Sequence, residues 1–227
     1  MITACTSVPV NKQYSKAVKE AAFVKASESA NTLLAIKPNN ANLVWNEDKT
    51  KVLVVTWKSR DAYDKFIKNN TNTSNDPNYA LWVSAVPQVK SFCQTYERHN
   101  DDDLNLRIKQ YLGLAPDWQY DVFVELWVSP DSLFRPCVDP NIDDTQCDIK
   151  VPQQFPSVKN IPDYGYFYKN LYFKSFRESA GVPWTGLGYT YDWGNKESEV
   201  GASEFIVTPH APYEIKQVLS THEYCAK

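Results

Sequence analysis

Glycine is scarce in this chain, 7 of 227 residues, and no glycine-rich stretch of the kind that cradles a phosphate occurs. Gly186-x-Gly188 lacks a third glycine and runs into a strand-like segment, so it reads as a turn. Histidine is scarcer still: His99, His210 and His222 are the full set, and no His-Glu-x-x-His motif contains them. Gly-x-Ser-x-Gly and Ser-x-x-Lys are also missing, which removes most of the weight from the familiar hydrolase and nucleotide-binding classes. Nor is there a basic run; 24 Lys and Arg stand against 27 Asp and Glu, a net charge of −3. Because nucleic-acid affinity depends on clustered cations, nucleic acid is not an expected partner. No stretch approaches the roughly 18 to 20 apolar residues of a membrane-spanning helix. No Cys-x-x-Cys pair or zinc-like Cys/His spacing exists, so a thiolate metal site is not expected, and the sequence points to no cofactor.

What is abundant is rings and prolines. The chain carries 7 Trp, 14 Tyr, 10 Phe and 14 Pro. Its length suits one substantial core, and the expected organisation is a tether over 1–14 followed by a single domain over 15–227.

Five cysteines, Cys5, Cys93, Cys137, Cys147 and Cys225, leave an odd thiol if the protein is exported. Ile2-Thr3-Ala4-Cys5 resembles the lipobox of bacterial lipoproteins, in which a branched apolar residue at −3 and a small residue at −1 precede a lipidated cysteine. That resemblance implies an N-terminal lipid anchor on Cys5 and a place in the bacterial cell envelope, or secretion, with the membrane reached through the anchor alone. The other four cysteines then form an even set. Cys137 and Cys147 enclose a Pro- and Asp-rich loop, and a Cys93–Cys225 bridge would tie the C-terminus to the body; three pairings are formally open. The competing expectation is a cytosolic protein with free buried thiols.

Spacings of three and four predict a helix over Ser15–Ile36, and "LVWNEDKTKVLVVTWKS" predicts a hairpin whose Val52–Trp57 run is a covered central strand. "YALWVSAV" predicts a strand and Pro87 opens a helix whose face carries Val89, Phe92, Cys93 and Tyr96. Asp101–Asp103 start a further helix that stops at Gly113. In "YDVFVELWVSP" the alternation puts Val122, Val124 and Leu126 on one face and Phe123, Glu125 and Trp127 on the other. "DYGYFYKNLYFKSFRE" predicts a ring-rich helix, and "LGYTYDW", "SEFIVTP" and "EIKQVLSTHEYC" predict three more strands. His99 is expected in solvent beside the acidic triplet, His210 in a hairpin loop and His222 on the last strand. The expected class is α+β, a single domain with a largely antiparallel mixed sheet and helices packed on one side.

Two stretches invite chemistry. Asp139, Asn141 and Asp143 occupy the first, third and fifth places of an EF-hand-like pattern, which then fails at Asp144 and Lys150; an acidic loop is the favoured reading, with a weaker calcium site on Asp139, Asp143, Asp144 or Asp148 as its rival. "PWTGLGYTYDWGN" concentrates rings, and alternation there would align Tyr189, Tyr191 and Trp193 on one face. Core packing is the plain reading. The functional one makes Trp184, Tyr189, Tyr191, Asp192 and Trp193 a ligand platform for a protein, peptide or glycan. The leading expectation is a binding or assembly role through aromatic surfaces; the alternative is an extracytoplasmic hydrolase using paired carboxylates among Glu125, Asp192 and Glu204.

Overall fold

The structure, a computed structural model, describes residues 9–97, 100–177 and 181–227. Cys5 and His99 lie outside the described residues. Among those described, six strands form an antiparallel sheet: β1 (Val52–Lys58), β2 (Leu81–Ala85), β3 (Val122–Val128), β4 (Leu133–Phe134), β7 (Phe205–Val207) and β8 (Glu214–Ser220), in the order β4-β7-β2-β1-β3-β8. A separate two-stranded sheet pairs β5 (Tyr189–Tyr191) with β6 (Val200–Ser203). With helices alongside an antiparallel sheet, the fold is α+β.

Strand β1 is apolar along nearly its whole length because both of its faces are covered. Val52 and Val54 join Val122, Val124, Leu126, Leu81, Val83 and Phe205 on one face, closed by the short helix α2 (Arg60–Phe66) and by extended chain at Ile36, Leu43 and Ala211–Tyr213. Leu53, Val55 and Trp57 face the other way. There they meet Val89 and Cys93 of α3 (Gln88–Thr95) and Leu104 and Ile108 of α4 (Asp101–Tyr111). The ring-rich helix α5 (Tyr164–Arg177) lies on this same side, its Phe167 packed with Phe134 and Ile206. Three of the longer helices thus share one face, as the sequence predicts, while α2 sits on the opposite one.

The acidic triplet does begin α4. Asn100 caps it by accepting from the Asp103 N–H at 2.9 Å, with three carboxylates at the positive end of the helix dipole. At its C-terminus, Gly113 takes φ +67°, Gly113 N–H donates to Gln110 O and Leu114 N–H to Lys109 O, a Schellman ending that needs glycine.

Several expectations are corrected. The first helix, α1, covers Val10–Ala21, so a tether does not run to residue 14, and the chain beyond it is a 3-10 turn at Ala26–Glu28 followed by extended backbone instead of helix to Ile36. Leu33 N–H donates to Thr145 O and Ile36 N–H to Ile142 O, so these residues are recruited by the 137–147 loop, which local spacing does not reveal. The hairpin before β1 reduces to a Trp45↔Val52 bridge and the Leu53 N–H to Val44 O bond. The last strand ends at Ser220, and His222 stands on a final helical turn, α6 (Thr221–Tyr224), capped by Ser220. His210 is not in a hairpin loop: β7 and β8 lie at opposite parts of the sheet, and its segment crosses between them.

Two disulfides join the four described cysteines, Cys93–Cys225 and Cys137–Cys147, which indicates folding in a non-reducing environment. On the loop-entropy model, the bridge spanning 132 positions contributes about 5 kcal/mol and the one spanning 10 about 2.7 kcal/mol. We expect the Cys93→Ala/Cys225→Ala pair of substitutions to lower the urea-unfolding free energy more than Cys137→Ala/Cys147→Ala does; equal losses would contradict the loop-length account.

Candidate functional site

The ladder between β1 and β2 carries register only at Val54↔Ala85 and Val55↔Ser84. Beyond that point β1 stays paired with β3 as far as Lys58, and β2 stays paired with β7 as far as Leu81. The two central strands therefore part, and a cavity of about 530 Å³ opens at the split. Its floor is the helix-side face of the sheet, with Val55, Trp57, Trp82, Ser84 and Phe123. Phe167, Asn170, Leu171 and Lys174 of α5 cover it, the turn 112–120 supplies Leu114, Trp118 and Tyr120, and the segment after α5 supplies Trp184, Thr190 and Tyr191. Thr56, Lys58 and Val83 also reach the cavity although their side chains alternate to the other face, because the opening enters the sheet between the strands.

The lining is mostly rings and aliphatic groups, with a few polar atoms set into it. Glu204, between β6 and β7, is buried and lies one step beyond the Val83↔Phe205 pair, across from Ser84. Its Oε1 has no hydrogen-bond partner among the described residues, and neither has Trp184 Nε1. Burial pushes the Glu204 carboxyl well above the usual glutamate range, against the opposing pull of Arg135. Burial likewise moves Lys58 below the usual lysine range and the Tyr120 phenol up to about 12. Across the mouth, Lys174 Nζ donates to Asn78 Oδ1 at 2.8 Å.

Of the five residues proposed as a ligand platform, Trp184 and Tyr191 line this cavity. The other three do not. Tyr189 is buried against Leu33, Cys137 and Cys147, and its hydroxyl donates to Glu28 O. Trp193 lies in a turn past the end of β5, donating from Nε1 to Leu114 O and meeting Tyr14 edge-on. Asp192 receives both arms of the Arg107 guanidinium, at 2.8 and 2.7 Å, and the N–H groups of Gly194 and Asn195. The expected row of Tyr189, Tyr191 and Trp193 on one face fails because the β5–β6 pairing shifts register between Tyr189 and Tyr191.

The three candidate carboxylates are employed separately. Glu125 accepts from Lys216 and Gln217 across the β3–β8 pair, Asp192 clamps Arg107, and Glu204 alone among them lines the cavity. The acidic loop folds round Arg135, whose guanidinium donates to Asn141 O, Leu34 O and Asp144 O, while Asp139 accepts from the Asp148 N–H. Asp139 also lies close to Cys137 and Cys147, but those sulfurs are bridged and offer no thiolate. Trp57, Trp82, Trp118 and Tyr120 were not singled out by sequence. Alternation could have placed Trp57 and Trp82 on one sheet face, but only the parting of β1 and β2 makes that face a cavity wall.

No family model, curated protein or solved structure matches this chain. The site is therefore read from its own chemistry. Among the described residues, no helix is long and apolar enough to cross a membrane.

Two outcomes follow from the buried charges. A glutamate whose native pKa is raised contributes fully at acid pH, and stability falls as pH climbs from 4.5, where the unfolded carboxyl ionises, towards the native value. Glu204→Gln should therefore match the parent in thermal unfolding near pH 4 and exceed it increasingly at neutral and alkaline pH; a constant offset would show that burial does not hold the proton. Asp192→Ala strands a mostly buried guanidinium and is expected to lower stability by about 3 to 5 kcal/mol in denaturant titration.

Proposed function

We propose that this protein binds a small, predominantly apolar ligand between α5 and the split in its sheet, and that it does so outside the cytoplasm. The observation that carries the reading is the cavity itself: about 530 Å³, walled by Trp57, Trp82, Trp118, Trp184, Tyr120 and Phe167, with polar atoms at a few points. That size and lining suit a small molecule of mixed apolar and polar character. A glycan would demand many more hydrogen-bonding groups along its length than these walls provide. A carboxylate-pair hydrolase would need a second acid, and Glu204 is the one acid lining the cavity among the described residues.

The address is supported by chemistry elsewhere in the chain. Both disulfides use cysteines other than Cys5, which keeps Cys5 available as the lipidated residue of Ile2-Thr3-Ala4-Cys5 and is consistent with a place on the bacterial envelope or in the secreted fraction. Exposed rings at Tyr166 and Phe173 on α5 are further surface for a protein partner.

The ligand-binding reading is tested with a neutral fluorescent probe, N-phenyl-1-naphthylamine. It should bind saturably at one site with enhanced emission and alter tryptophan fluorescence, since four tryptophans line the cavity. Ala80→Phe, which fills the space from the β2 side, should abolish binding. Absence of saturable binding, or unaltered binding in Ala80→Phe, would overturn the proposal.

A further inference from the structure

The polar groups of the cavity are rich in donors, and their positions point to a ligand class; this inference rests on the ligand-binding reading above. Lys58 and Lys174 both line the space. Lys58 is half-buried at the end of β1 and forms no ion pair among the described residues. The acceptor nearest Lys174, Asn78 Oδ1, is already shared with Asn170 Nδ2. Thr190 Oγ1 is engaged on both sides, donating to Tyr111 O and accepting from Ala202 N–H. Trp184 Nε1 is a donor by nature and buried without a partner among the described residues. At 7% exposure, and with Oε1 unpartnered among the described residues, burial favours the protonated form of Glu204, in which the carboxyl joins the donors. Lys58, pressed towards its neutral form by burial, is held in its charged form only when an anion stands beside it, so the lining favours an acid.

The two ends of this donor set are separated. Val55 lies opposite Ser84, Lys58 is three residues along β1, and Glu204 is one strand beyond Ser84. At about 3.3 Å per residue and 4.8 Å per strand, the Cα atoms of Lys58 and Glu204 stand at least roughly 14 Å apart, since β1 leaves β2 beyond Val55. Both residues line the cavity, Lys58 from within the split between the strands and Glu204 from the helix-side face, and the gap is spanned by a chain of several carbons.

We propose that the cavity binds an apolar carboxylic acid bearing a second oxygen at its far end, the carboxylate paired with Lys58 and the second oxygen accepting from the Glu204 carboxyl. The groups that bear on Glu204 are Arg135, just past β4, and Tyr189 of β5, and neither is part of the cavity lining. Among the described residues no carboxylate is paired with Lys58, so none competes with an entering acid for it.

The test is displacement of N-phenyl-1-naphthylamine by four compounds of one chain length: octanoic acid, 8-hydroxyoctanoic acid, 1-octanol and octylamine, at neutral pH. Octanoate is expected to bind at least about 10-fold more tightly than octanol, the worth of one charge-assisted hydrogen bond, with octylamine weakest and the hydroxy acid tightest. Lys58→Met should erase the advantage of octanoate over octanol. Glu204→Leu should erase the advantage of the hydroxy acid over octanoate, and Glu204→Gln, whose amide still donates, should retain it. Each variant is scored by its ranking of the four compounds relative to its own affinity for the neutral probe, and a parent-like near-UV circular dichroism spectrum separates recognition from misfolding. Preference for octylamine, or an unchanged ranking in Lys58→Met and Glu204→Leu, overturns the ligand class while leaving the cavity as a binding site. If the neutral probe itself fails to bind, both readings fall.

Discussion

The molecule depends on how far β1 is paired. On the β3 side the ladder is continuous from Val52 to Lys58; on the β2 side it holds for two residues and then stops. A sheet parted near its centre surrenders hydrogen bonds and close packing in the place where a fold normally concentrates both. The flanking strands must then hold the two halves together. Strand β3 is backed by β8, and β2 by β7 and then β4, so that the split is bounded by a paired strand on each side. The helix-side face, which would otherwise be a flat packed surface, becomes the floor of a cavity, and α5 becomes its cover.

Much of the rest of that enclosure is irregular chain, and irregular chain needs fixing points. The turn after α4 is set by the Schellman ending at Gly113. A Cβ there would approach the Tyr191 backbone nitrogen at 3.3 Å, so the same glycine sets both the turn and its contact with the opposite wall. Arg107 on α4 grips Asp192 just past β5, with its guanidinium over the Phe92 ring, and Trp193 donates to Leu114 O. These contacts tie the 112–120 wall to the 184–194 wall. The residues that looked most like a ligand platform therefore work one layer behind it: Asp192 and Trp193 hold the walls in place, and Trp184 and Tyr191 form them. Chain with few glycines and many prolines suits this role, because fewer conformations must be given up to hold a loop as a wall.

What the sequence made legible was local. The alternation in β3, the covered run of β1, the start and stop of α4 and the α+β class follow from period and capping, and each depends on residues a few positions apart. What it hid was long-range. Leu33 and Ile36 keep helical spacing with the alanines before them, yet their N–H groups are claimed by Thr145 and Ile142, more than a hundred residues on. The cavity is hidden for the same reason. Trp57, Trp82, Trp118 and Trp184 come from four separate segments, and nothing in any one of them distinguishes a wall ring from a core ring. Glu204 was visible as a strand-borne acid, but its lack of a partner is a property of its neighbours.

Two buried ionisable residues, Arg135 and Glu204, differ in what their burial serves. Arg135 has no exposed surface, yet Nε and Nη2 donate to three backbone carbonyls, organising the loop that the Cys137–Cys147 bridge closes. Its Nη1 has no hydrogen-bond partner among the described residues, but the three bonds from Nε and Nη2 offset part of its desolvation and fix chain that has no regular structure of its own. Glu204 has no such return. Its Oε1 satisfies no N–H, and its burial opposes ionisation throughout the range in which an ordinary glutamate is charged. A leucine there would fold at least as well, so stability supplies no reason for an acid. Position does: Glu204 stands where the lining of the cavity would otherwise be featureless, and a polar group that serves no protein partner has its use in what enters from outside.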